Sequence, residues 1–208
     1  YAYCERDIVG KGGTPSTRAG AALMDSILLR LGLAGTGTFA SAGDSGSTCN
    51  GQRGAGVAWP ASSPYVTSVG GTRLVVDQAN ARVDEVVWND SQWLTPTTGG
   101  GAGGGGVASA TPLPDYQRGL PDAGAMRMTP DVSAHASQFP AFPINFAGQW
   151  LTDGGTSAAS PLLAGGFARL SANEQAAGRP PLGPVNGLLY ALEGSQPDAL
   201  FDITEGNN

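Results

Sequence analysis

Apolar positions in this chain fall into short runs separated by glycine and proline, and their spacing alternates between helical and strand-like periods. The opening Tyr1 to Cys4 is apolar and strand-like. Ala21, Ala22, Met24, Ile27, Leu28 and Leu31 then recur at helical spacing, with Ser16 and Thr17 available as caps and Gly32 and Gly35 closing the segment. Thr38 to Ala42 reads as a short buried strand ending at Gly43. Strand, helix and strand in that order predict a right-handed crossover with parallel strands, whose C-terminal ends share one edge of a sheet. Ligand sites in such sheets open at that edge.

Further along, Tyr65 to Val69 and Leu74 to Asp77 read as strands on either side of a break at Gly70-Gly71. Val83 to Trp88 pairs with the second through a turn at Asn80. Thr95 to Thr111 contains Gly99 to Gly101 and Gly103 to Gly106 and is expected to be a loop. Ile144 to Phe146 and Gln149 to Leu151 form a hairpin through Ala147 and Gly148, leading into a helix from Ser157 to Ala176. Pro161 is expected in the first turn of that helix, where amides lack helical partners. A last short helix covers Val185 to Leu192. The alternation predicts an α/β domain with a mostly parallel sheet.

At 208 residues, with 40% hydrophobic and 13% charged positions, the chain suits one folded domain. Gly 33 and Pro 15 fall without a period and indicate many turns rather than a repeat. A net charge of -6 without Lys and Arg clusters argues against nucleic-acid and anionic-membrane partners. No apolar run approaches the ~20 residues needed to span a bilayer. Few ionised side chains also leave few carboxylates whose protonation would weaken the fold in acid. The two cysteines, Cys4 and Cys49, permit a disulfide or two buried thiols. If both follow strands ending at one rim, a bridge is within reach.

The strongest chemical signal is Gly154-Gly155-Thr156-Ser157-Ala158-Ala159-Ser160-Pro161, a serine behind glycines at the start of an apolar helix. Small residues admit a substrate backbone, and a helix N-terminus favours developing negative charge. Ser157 is a candidate nucleophile, or else a plain helix cap. A second run, Ser41-Ala42-Gly43-Asp44-Ser45-Gly46-Ser47, puts an aspartate at a strand end, where it either does chemistry or caps a turn.

The octet is similar to the serine motif shared by subtilisins and sedolisins. A subtilisin needs a histidine in a His-Gly-Thr context upstream of the serine, whereas the single histidine, His135, stands in Ser133-Ala134-His135-Ala136 and reads as a surface or loop residue. Trp59-Pro60-Ala61-Ser62-Ser63-Pro64-Tyr65, Val66 to Thr72, Val87-Trp88-Asn89-Asp90 and Pro130-Asp131-Val132-Ser133-Ala134 extend the resemblance to sedolisins, the serine-carboxyl peptidases, collinearly over residues 37 to 208. That resemblance implies a subtilisin-like fold, a mostly parallel sheet with helices on both faces. It also implies an acyl-enzyme on Ser157 and a protonated Asp44 as oxyanion donor, a state that burial and nearby carboxylates would favour. Gly104, Gly105 and Gly106, with Gly155 and Thr156, would line the substrate cleft, although Ala108 departs from the usual Gly-Gly-Gly-x-Ser form. Phe201-Asp202-Ile203-Thr204-Glu205-Gly206-Asn207-Asn208 resembles the start of the family's calcium site, with the Asp202 carboxylate and the Ile203 carbonyl as ligands of Ca²⁺.

Sedolisins use a glutamate base oriented by an aspartate on an upstream helix. Neither matches here, and Glu5 and Asp7, expected in a loop, are not assigned to those roles. The expectation is a catalytic domain truncated at both ends, from a secreted monomer or one in an acidic compartment. Its partners would be polypeptide substrates and a propeptide or the remaining part of its own catalytic domain. A non-catalytic peptide-binding relative and a subtilisin-like serine protease with a neutral optimum are the alternatives.

Overall fold

The structure is a computed structural model that describes residues 3–49, 54–91 and 101–208. In chain order it contains β1 (Tyr3–Cys4), α1 (Glu5–Ile8), α2 (Pro15–Leu33), β2 (Phe39–Ser41), β3 (Ala58–Trp59), β4 (Thr67–Val76) and β5 (Arg82–Val87). There follow β6 (Gly106–Pro112), β7 (Met126–Thr129), β8 (Val132–His135), β9 (Phe142–Phe146), β10 (Gln149–Asp153), α3 (Thr156–Ala176) and α4 (Asn186–Ser195).

The central sheet is built around β4. Its first residues pair in parallel with β2, from Phe39↔Thr67 to Ser41↔Val69. Along its other edge Val69 to Thr72 pair in parallel with Val132 to His135 of β8. Its second half carries β5 antiparallel, after the turn at Asn80, whose φ is 61°. Helix α3 packs across β2, β4 and β8. The core beneath it joins Val69, Trp88, Ala136 and Ala159, with Phe39, Val132, Ala134 and Leu163 packed around them.

Several local expectations meet a different outcome. The opening strand does not join β2 in a crossover: β1 pairs antiparallel with β3, through Tyr3↔Trp59 and Cys4↔Ala58, outside the central sheet. Helix α2 is capped by Thr14, not by Ser16 or Thr17. The Thr14 hydroxyl accepts from the Thr17 N–H at 3.2 Å, and the Thr17 hydroxyl accepts from the Thr14 N–H at 2.9 Å, a reciprocal box ahead of Pro15. Gly70-Gly71 does not break β4, because both glycines keep extended backbone and their ladder bonds to β8. Of the expected glycine loop, residues 95–100 lie outside the described residues, whereas Gly106–Pro112 is strand β6, paired antiparallel with β7. Pro161 stands in the second turn of α3, so the carbonyl four residues back, that of Ser157, lacks a helical donor.

A buried ion pair fixes the lower part of the sheet. Arg127 and Asp131, both fully buried, meet at 2.6 Å. Asp131 also accepts from the Ser68 N–H at 2.7 Å and the Tyr190 hydroxyl at 2.9 Å, and Arg127 donates to the carbonyls of Ala61 and Val66. Both carboxylate oxygens of Asp131 and both terminal nitrogens of Arg127 therefore point at defined partners, as a buried pair requires if it is not to destabilise, while Arg127 Nε is buried without one among the described residues. Burial pushes the neighbouring Tyr116 phenol up to about 12, with Arg127 opposing and Asp131 reinforcing the shift. Burial, reinforced by Asp131, raises Tyr190 as well.

Candidate active site

Asp44 follows β2 by three residues and Ser157 is the second residue of α3, so a strand end and a helix start bring them together. The contact between the two segments runs through Thr156. Its N–H and its hydroxyl both donate to Oδ1 of Asp44, at 2.8 and 2.7 Å. The same hydroxyl accepts from the Gly43 N–H at 3.1 Å, and the Thr156 carbonyl accepts from the Ser41 hydroxyl at 3.0 Å. All the polar groups of Thr156 are thus directed inward at β2 and the residues just after it. Gly155, with φ 94°, makes the turn into the helix, and a Cβ there would come within 3.0 Å of Asp44 Oδ2. Glycine is therefore required on both conformational and steric grounds.

Asp44 and Ser157 open into one cavity of about 450 Å³, walled by Phe39, Ser41, Pro60, Thr156, Ser160 and Pro161. Asp44 is its one carboxylate among the described residues. Both residues are exposed, so the burial expected around Asp44 is not supplied by the described residues. The amide of Ser157, in the first turn of α3, finds no backbone acceptor among the described residues and is free for an incoming group.

The predicted cleft residues divide. Gly155 and Thr156 adjoin Asp44, and Thr156 is fully buried with its N–H and hydroxyl on Asp44 Oδ1. Gly104 is bonded to the Gly43 carbonyl through its own N–H at 2.8 Å, and a Cβ on it would strike the Ala42 oxygen at 2.3 Å. Gly104 lines a neighbouring cavity with Ile203 and Asn208, not the one that holds Ser157. A Cβ on Gly105 would meet the Thr129 oxygen at 2.8 Å, and Gly106 opens β6 with φ 137°. The backbone of the run lies close against Ala42, Gly43 and Thr129, behind Asp44.

Cys4 and Cys49 are joined in a disulfide although β1 and β2 are not parallel neighbours; the antiparallel β1–β3 pair brings Cys4 to the loop after Asp44. His135 is not a free surface residue. It ends β8 half-buried, with Nδ1 accepting from the Leu74 N–H at 3.1 Å and Nε2 2.8 Å from the Pro140 carbonyl. Glu5, expected in a loop, begins helix α1 and is buried. Nothing in its local sequence signals that burial, since its partners lie more than a hundred residues away. For calcium, the exposed Asp202 carboxylate and the Ile203 carbonyl are oxygen donors of the right kind. They are two of the six to eight that Ca²⁺ takes, and no group of three or more His, Cys, Asp or Glu among the described residues could complete a shell. The two donors fit the ion in kind, and a complete shell would need further ligands beyond them.

A serine at a helix start and an acid just past the end of a parallel strand, opening into one cavity, mark the chain as a subtilisin-like α/β protein. The chain belongs to the subtilase family, whose model matches residues 11–182. Kumamolisin of Bacillus sp. (strain MN-32) is 40% identical over 199 residues, covering 91% of this chain and 33% of that protein. Sedolisin of Pseudomonas sp. (strain 101) is 38% identical over 156 residues, covering 73% of this chain and 25% of that protein. The solved structure of Pseudomonas sedolisin, a serine-carboxyl proteinase complexed with pseudo-iodotyrostatin, superposes on 100% of this chain with a TM-score of 0.85 at 32% identity. This chain corresponds to 55% of that one. It spans a quarter to a third of the length of the two sequence relatives.

Proposed function

We propose that the full-length protein is an acid-acting serine-carboxyl endopeptidase, and that this chain carries its nucleophile and its oxyanion donor. The observation that carries the reading is the shared cavity of Ser157 and Asp44, with the aspartate held through one oxygen only. Oδ1 already accepts two hydrogens, so in the neutral acid the proton belongs on Oδ2, where it can be donated. Ser157 Oγ attacks the scissile carbonyl, and a base takes its proton. The resulting oxyanion accepts from Asp44 Oδ2–H and from the Ser157 N–H. Collapse of the adduct breaks the C–N bond, the base returns the proton to the leaving amine, and water then hydrolyses the ester.

By resemblance to the sedolisins the base is assigned to a glutamate, oriented by an aspartate, upstream of these residues. A carboxylate base near its ordinary ~4.3 works where a histidine would already be charged. Two features support a further segment of the catalytic domain, or a propeptide, as a binding partner of this chain. Among the described residues strand β2 is an edge of its sheet. Helix α2 buries Ala21 and Leu28 but leaves Met24, Ile27 and Leu31 at 40% exposure or more. The disulfide favours secretion or an acidic compartment over a reducing one, and no described helix is long and apolar enough to cross a membrane. Calcium would be held through Asp202 and Ile203, and would supply charge to order the chain around them.

The test is peptide hydrolysis by the full-length protein and its Ser157→Ala and Asp44→Ala variants, near pH ~4 and at neutrality. Ser157→Ala should lose turnover, Asp44→Ala should lose about 10² to 10³ in kcat, and the parent's rate should fall toward neutrality. Parental rates from either variant, or a rate that rises toward neutrality, would overturn the reading.

A further inference from the structure

Glu5 is a carboxylate the proposed mechanism does not use, buried against a row of five donors. It is 1% exposed, and no cation reaches it among the described ion pairs. Its Oε2 accepts from the N–H and hydroxyl of Ser109, both at 2.7 Å. Oε1 accepts from the Ala110 N–H at 3.3 Å, the Thr111 N–H at 2.9 Å and the Thr111 hydroxyl at 2.7 Å. These donors have a common origin. The β6–β7 ladder is interrupted between Val107 and Pro112, and the amides of Ser109, Ala110 and Thr111 that lose strand partners there converge on Glu5. An acceptor-only group with two oxygens suits five donors. A glutamine would turn an NH₂ toward N–H groups that cannot rotate away.

We propose that Glu5 is a positioning residue for Asp44, an inference that rests on the reading of Asp44 as the oxyanion donor. Four links form a closed ring. Cys49, five residues past Asp44, is bridged to Cys4. Glu5, next to Cys4, donates its N–H to the Val57 carbonyl and takes the 109–111 amides through its side chain. That segment continues back through the glycine run to Gly104 and Ala102. There the Gly104 N–H donates to the Gly43 carbonyl and the Ala102 N–H to the Asp44 carbonyl, at 2.8 and 3.1 Å. Both ends of the short segment carrying Asp44 are therefore tied to pieces of chain that the Glu5 carboxylate joins. Opening the ring at Glu5 leaves Asp44 held by Thr156 but its backbone free to shift.

The test is Glu5→Gln in the full-length protein, with kcat referred to titrated active sites and amide hydrogen exchange read residue by residue. Loss of registration should lower kcat about 10- to 100-fold, the scale of a displacement of about 1 Å at a reacting group. KM should stay within about twofold, because a donor used only in the transition state is affected. Exchange at Ala102 and Gly104 should quicken about tenfold, in step with the 109–111 amides. Unchanged kcat per active site, or quickened exchange at 109–111 with Ala102 and Gly104 unmoved, would overturn the inference. So would uniform quickening across the chain with unchanged kcat, the signature of a purely structural group. If Glu5→Gln does not fold, Ser109→Ala and Thr111→Val each remove one hydroxyl donor and should show the same pattern at a few-fold; no coupling between the two segments in either would refute it. Asp44→Ala at parental kcat would instead sink the oxyanion reading, while the exchange data would still decide whether Glu5 holds the segment.

Discussion

Replacing Thr156 by valine removes a single hydroxyl from a side chain that is fully buried, and the structure fixes what is lost. The hydroxyl gives its hydrogen to Asp44 Oδ1 at 2.7 Å and takes one from the Gly43 N–H at 3.1 Å. Each such bond contributes about 0.5 to 1.5 kcal/mol net, and an amide left without an acceptor costs about 1 to 3 kcal/mol. A loss of about 2 to 4 kcal/mol is therefore expected, close to the larger single-residue effects in folded domains. For a domain of about 150 to 250 residues each kcal/mol moves the melting temperature by about 2 to 4 °C, and by less in a larger one, so Thr156→Val should melt lower by up to about 16 °C. The catalytic effect has a separate cause. With one of its two donors gone, Oδ1 is no longer saturated, so the proton of a neutral Asp44 can sit on either oxygen and the carboxyl can turn. A fall of about 10- to 100-fold in kcat is expected, with KM nearly unchanged. Thermal melts and active-site-titrated peptide kinetics on the full-length variant measure both. A melting temperature and kcat indistinguishable from the parent's would show that the Thr156–Asp44 contact does not organise the site.

Burial raises Asp25 on α2 above its ordinary 3.8, and the hydrogen bond from Ser63, at 2.6 Å, opposes the shift. A group raised on folding stabilises below its unfolded value and loses that contribution as pH rises through the folded one. Asp25→Asn should therefore raise the melting temperature more at pH ~7 than at pH ~3; an equal or larger gain in acid would refute this. Calcium held through Asp202 and Ile203 predicts that a chelator lowers the melting temperature of the full-length protein and that Asp202→Ala shrinks the response to added Ca²⁺. A chelator without effect on the parent would remove the ion from the account.

What the sequence made legible is what neighbouring residues determine. Asn80 and the Ala147-Gly148 pair mark hairpins because positive φ is a local property, and the structure places both turns there. The Gly-Thr-Ser run marks a helix start for the same reason. Pairing between distant segments left no comparable trace. β1 reads like any short apolar strand, yet its partner is Trp59, and choosing that partner over β2 depends on contacts across the whole fold. Gly106–Pro112 reads as loop by composition, but the Met126–Thr129 ladder and the Glu5 carboxylate satisfy its backbone and make it a strand. Exposed apolar residues on α2 had the spacing of a core face without being covered by the described residues, so periodicity alone overstated the core.

The two motifs of the site were legible one at a time, and the step the sequence withheld is why each needs the other. Asp44 and Thr156 are 112 residues apart, and neither motif states that the threonine between the glycine and the serine belongs to the aspartate. Once that bond is seen, the composition of the run has a cause at every position: Gly155 clears space beside Oδ2, Thr156 occupies Oδ1, and Ser157 is left to face the cavity. A carboxyl can donate only while it keeps its proton, whereas a carboxylate base can accept only after losing one. On the proposed reading, the site works where these two opposite requirements overlap. That overlap would lie in acid, because carboxyl groups as a class exchange their protons near pH ~4.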